Sequence, residues 1–221
     1  MTESIPERWL FSVEGEGWST LADDAPERAA LRANEAISAL VPEGAQGSCR
    51  PLAFYPSHRL LRFFKAGDGA ELGLFLVSDG ENIIHLNGSS PPIHELNKRV
   101  SLDLNADDAL AYLAFFCFFV RGEEGPFMVV DRLDDPLLPG YLGAPESGEE
   151  REKSEVIARL YRPAELFGSD DEGRHRASAM VYYSNVIFVS DFLIGRDGSI
   201  DMLDDEPLVE KLPHKIAATI L

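Results

Sequence analysis

The residues best suited to hold a ligand lie in one stretch, Ala45 to Gly67, which contains no acid but carries His58, Arg50, Arg59, Arg62 and Lys65 among Phe54, Tyr55, Phe63 and Phe64. Guanidinium and ammonium groups beside aromatic rings can grip a phosphate or carboxylate and stack on a planar group. In a chain of formal net charge −18 this interval is a local inversion of sign. As a regular strand it would place Arg59 and Lys65 on one face with Leu61 and Phe63, and Arg62 on the other between Leu60 and Phe64. The plainer alternative is internal pairing of these bases with the surplus carboxylates, their stems lying over apolar neighbours. Tyr182, in the run Tyr182-Tyr183-Ser184-Asn185, and Tyr141, in a Pro/Gly-rich loop, could add hydroxyl groups to a pocket. Buried tyrosines bonded to backbone are the alternative for Tyr182. The candidate ligand- or partner-binding residues are therefore His58, Arg59, Arg62, Lys65, Tyr141 and Tyr182.

The opposite charge gathers at Asp197, Asp201, Asp204, Asp205 and Glu206, with no base among them. Hard cations favour clustered oxygens of this kind. A calcium loop starting at Asp197 would need glycine at its sixth position, where Met202 stands, so the segment reads as a hairpin with a solvated edge. Carboxylates there also keep an edge strand from pairing with a neighbour.

Catalytic patterns fail one by one. The chain has no Gly-x-Ser-x-Gly elbow and no phosphate loop of the Gly-x4-Gly-Lys-Ser/Thr type. In His94-Glu95-Leu96-Asn97-Lys98 a lysine occupies the place of the second zinc-binding imidazole. The two cysteines, Cys49 and Cys117, are far apart, and Cys117 within a Phe-rich run reads as a small core residue. The histidines have no sequence-adjacent partner that would make a general base. No catalytic residue, metal or cofactor is predicted.

Charge and length bound the rest. With 38 acidic against 20 basic residues the chain repels phosphate backbones and anionic lipid surfaces, so neither nucleic acid nor membrane is an expected partner. The acidity serves solvation or a basic protein partner. The longest apolar run, Ala109 to Val120, is too short to cross a bilayer, where roughly 20 residues are needed. A start without a basic and then apolar run, together with only two cysteines, points to a cytoplasmic, reducing setting.

The elements that must position these groups follow from periodicity. Asp23-Asp24-Ala25-Pro26 predicts a helix start, with Ala29, Ala33, Ala36, Ile37 and Leu40 on its buried face up to about Val41. Segments Leu60–Lys65, Glu71–Val77 and Asn82–Leu86, separated by Asp-Gly turns, read as an antiparallel meander. A short helix after Ser89-Ser90-Pro91-Pro92 precedes the strongest one, capped by Asn105 and apolar on all sides to Val120. Phe127–Asp131 reads as a short strand. Residues 134 to 154 then form a long loop, anchored in its first half and charged in its second. The last third reads as strands Glu155–Tyr161, Ala177–Tyr183, Val186–Ile194 and Ser199–Leu203, and Asp205-Glu206-Pro207 as the start of a short helix.

The expectation is a single α+β domain over residues 1–221, with any subdivision at loop 134–154. A largely antiparallel curved sheet of about eight strands packs against two main helices. Two functions compete: a noncatalytic binding or adaptor protein that meets a basic partner with its acidic surface, and a binding protein or enzyme that takes a small anionic ligand in a sheet-lined pocket under a loop lid.

Overall fold

A computed structural model describes residues 17–65, 71–133, 138, 148–212 and 219–220. In chain order the elements are β1 (Ser19–Thr20), α1 (Pro26–Ala33), α2 (Glu35–Ser38), β2 (Gln46–Pro51), β3 (Arg59–Phe64), β4 (Glu71–Ser78), β5 (Ile83–His85), α3 (Pro91–Val100), α4 (Ala106–Phe119), β6 (Arg121–Gly122), β7 (Gly125–Pro126), β8 (Met128–Val129), α5 (Gly148–Leu160), β9 (Glu165–Ser169), β10 (His175–Tyr183), β11 (Val186–Ile194), β12 (Ile200–Val209) and β13 (Thr219–Ile220). The chain is thus a mixed helix and strand protein. Instead of one sheet of about eight strands, the strands divide among a six-stranded sheet, a five-stranded sheet and a two-stranded ribbon, none of them closed. The helices α3 and α4 lie between β1–β5 of the six-stranded sheet and the strands of the five-stranded sheet, and β13 returns to the first sheet after β12.

In the six-stranded sheet β1, β2, β3 and β4 pair antiparallel in that order, β5 pairs with β4, and β13 lies parallel to β4. Alternation gives β2–β4 two buried faces. Cys49, Leu61, Phe63, Leu74 and Leu76 join Leu21 and Leu31 in one apolar cluster. Leu60, Phe75 and Val77 join the larger cluster that surrounds α4. That cluster also takes in Ala177, Met180, Val181, Ile187, Phe192 and Ile194 from the five-stranded sheet, in which β12, β11, β10 and β8 follow one another and β9 adds to β10.

The central helix α4 is as predicted. Asn105 Oδ1 accepts the backbone N–H groups of Asp107 and Asp108 at 2.8 and 3.0 Å. Its aromatic residues build a ladder, with Phe115 5.1 Å from Phe54 and 5.0 Å from Phe119, and Phe119 5.2 Å from Phe75. Each such pair contributes about 0.5–1.5 kcal/mol beyond area burial.

Three individual elements also differ from expectation. The single helix to Val41 is divided at Asn34, whose side chain accepts from Ile37 N–H at 3.1 Å and opens α2, while α1 starts at Pro26 with no side-chain cap from the aspartates. A side-chain amide that bonds nearby backbone competes with helix continuation. Residues 155–160 are helix, not strand: Glu149 and Glu150 occupy the first turn, Lys153 reaches Glu149 at 2.9 Å, and Ser154 and Ile157 form the buried stripe. The short helix expected after Asp205 is absent, because β12 continues beside β11 as far as Val209, paired with Ile187. The turn at Gly67-Asp68-Gly69 lies outside the described residues. Of the loop expected at 134–154, residues 134–137 and 139–147 also lie outside them, Leu138 is buried in the α4 cluster, and the charged residues 148–154 are not loop but the first half of α5. No helix among the described residues is long and apolar enough to cross a membrane.

Candidate functional site

The alternation of β3 decides which bases can act together. Arg62 points to the α4 side, directly opposite Ser48 on β2 and Phe75 on β4, with Phe64 two residues on along the same face. Trp18, just before β1, tilts against Phe75 with ring centroids 6.5 Å apart. The Arg62 guanidinium carbon stands 5.0 Å from the Trp18 centroid and 4.5 Å from that of Phe64, and Arg50 approaches the same indole at 5.6 Å. Stacking engages the faces of a guanidinium and leaves its N–H donors at the edge of the plane. Burial lowers the pKa of Arg50 to about 10, still a cation at neutral pH.

From the other side of the sheet α1 sends Arg28 over the Phe63 ring, at 5.9 Å. Its Nε and Nη2 donate to the carbonyls of Ala22 and Leu21 at 3.1 and 3.2 Å, and Nη2 lies 3.6 Å from Asp23. These bonds hold the guanidinium at the rim of an open cleft of about 560 Å³ lined by Trp18, Thr20, Arg28, Ser48, Arg62 and Phe64, among others. That size is within the range of small-molecule pockets, roughly 300–1,000 Å³. Ser48 Oγ, opposite Arg62, is buried and has no hydrogen-bond partner among the described residues. An unmet buried hydroxyl costs about 1–3 kcal/mol, which a polar ligand atom would offset.

The remaining candidates are dispersed. Arg59 faces the opposite side of the sheet, where Nε donates to Glu27 Oε1 at 2.7 Å and Nη2 to the same oxygen, and Nη1 lies 3.3 Å from Cys49 Sγ. It is the internal ion pair that the plainer alternative predicts. Lys65 is exposed just beyond β3 and lines neither this cleft nor the cavity beside His58. Tyr182 is fully buried in β10, and Tyr141 lies outside the described residues.

His58 lines a second cavity, of about 330 Å³, with Phe54, Tyr55, Leu102, Asp103 and Asp108. Its Nε2 is 3.9 Å from Asp79 Oδ2. Burial lowers the His58 pKa, with Asp79 opposing and the Arg99 charge adding to the effect. The carboxylates here are already engaged: Asp103 accepts from Arg196 Nε and Nη2 at 2.6 and 2.7 Å, and Asp108 accepts from Asn105 Nδ2 at 3.0 Å. Beneath it, Tyr55 OH donates to Asn97 Oδ1, Asn97 Nδ2 donates to Tyr112 OH at 2.7 Å, and Tyr112 OH donates to the Gly198 carbonyl at 3.0 Å. This network ties α3 and α4 to the β11–β12 turn and is structural.

Among the described residues no group of three or more His, Cys, Asp or Glu side chains comes together to hold a metal ion. Both cysteines are buried and unbridged, and burial pushes the Cys117 thiol up to about 12, far from a reactive thiolate. Compared with known proteins, the chain matches no family model, no curated protein and no solved structure.

Trp18 and Arg28 complete the cleft, and neither stands out in the sequence. Trp18 has no periodic neighbours, and Arg28 reads as one polar position of an amphipathic helix. A signal was present only for Arg62 and Phe64, through the period of two.

Proposed function

We propose that this chain is a noncatalytic binding protein that takes a small organic anion with a planar ring system in the cleft beside Arg62. The observation that carries this reading is the stack of Trp18, Arg62 and Phe64 facing the buried hydroxyl of Ser48 across the β2–β3 ladder. Guanidinium groups of Arg28 and Arg62 supply charge, the rings supply a surface for a planar group, and Ser48 and Thr20 supply short polar contacts. These are groups that hold a ligand; none is a nucleophile activated by a neighbouring base. A carboxylate or phosphate bound by one arginine fork is worth about 1.5–3 kcal/mol per charged hydrogen bond, and the ring adds dispersion and stacking. The lid expected from loop 134–154 has no part in this reading. We also read the chain as one folding unit, supported by the apolar cluster that joins both large sheets to α4.

A second reading, an adaptor that meets a basic protein, is favoured by the concentration of exposed carboxylates on β12, at Asp201, Asp204, Asp205 and Glu206.

Thermal unfolding with 1-naphthyl phosphate, neutral 1-naphthol and cationic 1-naphthylmethylamine tests the cleft. Binding of the native state alone raises stability by about 2.7 kcal/mol at a hundredfold excess over Kd. The phosphate is expected to raise Tm by several degrees and the other two to leave it unchanged. Equal stabilisation by naphthol removes the arginines from the account, and no shift with any of the three removes the cleft.

A further inference from the structure

The five-stranded sheet ends on β12, and among the described residues no strand pairs with its outer side. A strand with one neighbour leaves half of its backbone N–H and C=O groups facing outward, ready to pair with another chain. Over 201–207 both faces of β12 are exposed as well, including Met202 at 43% and Leu203 at 51%. Among the described residues nothing covers this segment, whereas the central residues of β2–β4 are buried on both faces.

Its charge is unbalanced in a particular way. Asp201 is met by Arg174 at 3.2 Å, but Asp191, Asp204, Asp205 and Glu206 enter no ion pair among the described residues. Asp204 lies directly opposite Asp191 on β11, and like charges in direct cross-strand register repel. The register slips after that pair, so Leu203 is the extra residue of a bulge that turns the edge. Carboxylates and bulges of this kind prevent two copies of the chain from pairing edge to edge. They leave the edge open to a strand of opposite charge.

We propose that the outer edge of β12, from Ile200 to Glu206, accepts an extended Lys- or Arg-rich segment of another protein as an added strand. Backbone hydrogen bonds supply the pairing, Met202 and Leu203 supply apolar contact, and cations on the incoming strand relieve the Asp191–Asp204 repulsion. The inference rests on the reading of the acidic surface as a partner surface and adds the mode of recognition.

A synthetic peptide alternating Lys and Val serves as probe, with two derivatives N-methylated at one or the other alternate set of backbone nitrogens. The parent peptide is expected to bind the full chain at low salt, and the double substitution Asp204→Lys with Asp205→Lys to weaken it about tenfold or more. One methylated derivative is expected to bind like the parent and the other about tenfold more weakly, since only one set of N–H groups faces the edge. If both derivatives bind like the parent while the lysine substitutions abolish binding, recognition is by charge alone: strand addition is overturned and the adaptor reading stands. If the parent does not bind at low salt, both fall. Binding that ignores the substitutions on β12 places the peptide elsewhere and also overturns the proposal.

Discussion

Arg62 is held between two rings, its guanidinium carbon 5.0 Å from the Trp18 centroid and 4.5 Å from that of Phe64. The partners come from different sources: Phe64 from the period of the same strand, and Trp18 from the segment that leads into the edge strand. A partly desolvated guanidinium over an indole contributes about 0.5–2 kcal/mol. Replacing Trp18 with Leu keeps an apolar body but removes the ring quadrupole, and is expected to cost about 1 kcal/mol in urea unfolding. Trp18→Phe should recover most of that loss.

The Glu27–Arg59 pair fastens α1 to the opposite face of the sheet. Glu27 is 3% exposed and takes its charge-assisted bonds from Arg59 alone among the described residues. Arg59→Met would leave a buried carboxylate without its cation, at a cost of about 2 kcal/mol or more. The double change Glu27→Met with Arg59→Met should regain most of the loss, because it removes the buried carboxylate together with an arginine whose side chain is 39% exposed. A double-mutant cycle with additive effects would contradict the coupling.

Gly198 sits in the β11–β12 turn with φ +79°. A Cβ there would come within 2.3 Å of Asn97 Nδ2 and 2.5 Å of Tyr112 OH, so Gly198→Ala strains the backbone and displaces the network at once. The expected loss is about 2–4 kcal/mol by thermal unfolding. Gly148→Ala, where nothing lies within 4 Å of the added carbon, should change stability by no more than about 0.5 kcal/mol.

Stability should fall in two windows as pH is lowered. Burial holds His58 below its ordinary 6.5, so the unfolded chain binds a proton first and the stability present above pH 6.5 is lost as pH falls from there through the folded value. Burial alone would raise the Asp79 pKa, but the backbone N–H and side-chain amide of Asn82 and the Glu81 N–H outweigh it and bring it to about 2 from 3.8. Its contribution is full above about pH 4 and lost as pH falls toward 2. The His58 ring titration by NMR checks the first window directly. Asp79→Asn should lower its midpoint further, since the Asp79 charge is what opposes burial. A midpoint at or above 6.5 in the unmodified chain contradicts the assignment.

The parts of this fold that could be read in advance are those where local chemistry and tertiary packing agree. Asn105 followed by acids and an apolar run gave α4, and the Asp-Gly turns at residues 79–80 and 197–198 gave two hairpins. Helix α5 was obscured because Val156, Ile157 and Leu160 resemble a strand, whereas its support lies in charged pairs such as Glu149–Lys153. Pro207 and its acidic neighbours resemble a helix start, yet the long apolar strand β11 offers a ladder that extends β12 past them. At the site, strand alternation correctly separated Arg59 from Arg62. It could not bring in Trp18 or Arg28, because their approach is set by the β1–β2 pairing and the packing of α1, both non-local.

In the proposed cleft a planar anion would meet Arg62 where it stacks on Trp18. In a Trp9→Phe background Trp18 is the sole indole of the chain, so its fluorescence reports the cleft alone. Titration with 1-naphthyl phosphate is expected to give saturable quenching, weakened about tenfold to a hundredfold by Arg62→Gln, the loss of one charged hydrogen-bonding group. Saturable quenching that is unchanged in Arg62→Gln, or no quenching at all in a protein that unfolds at its normal temperature, contradicts it.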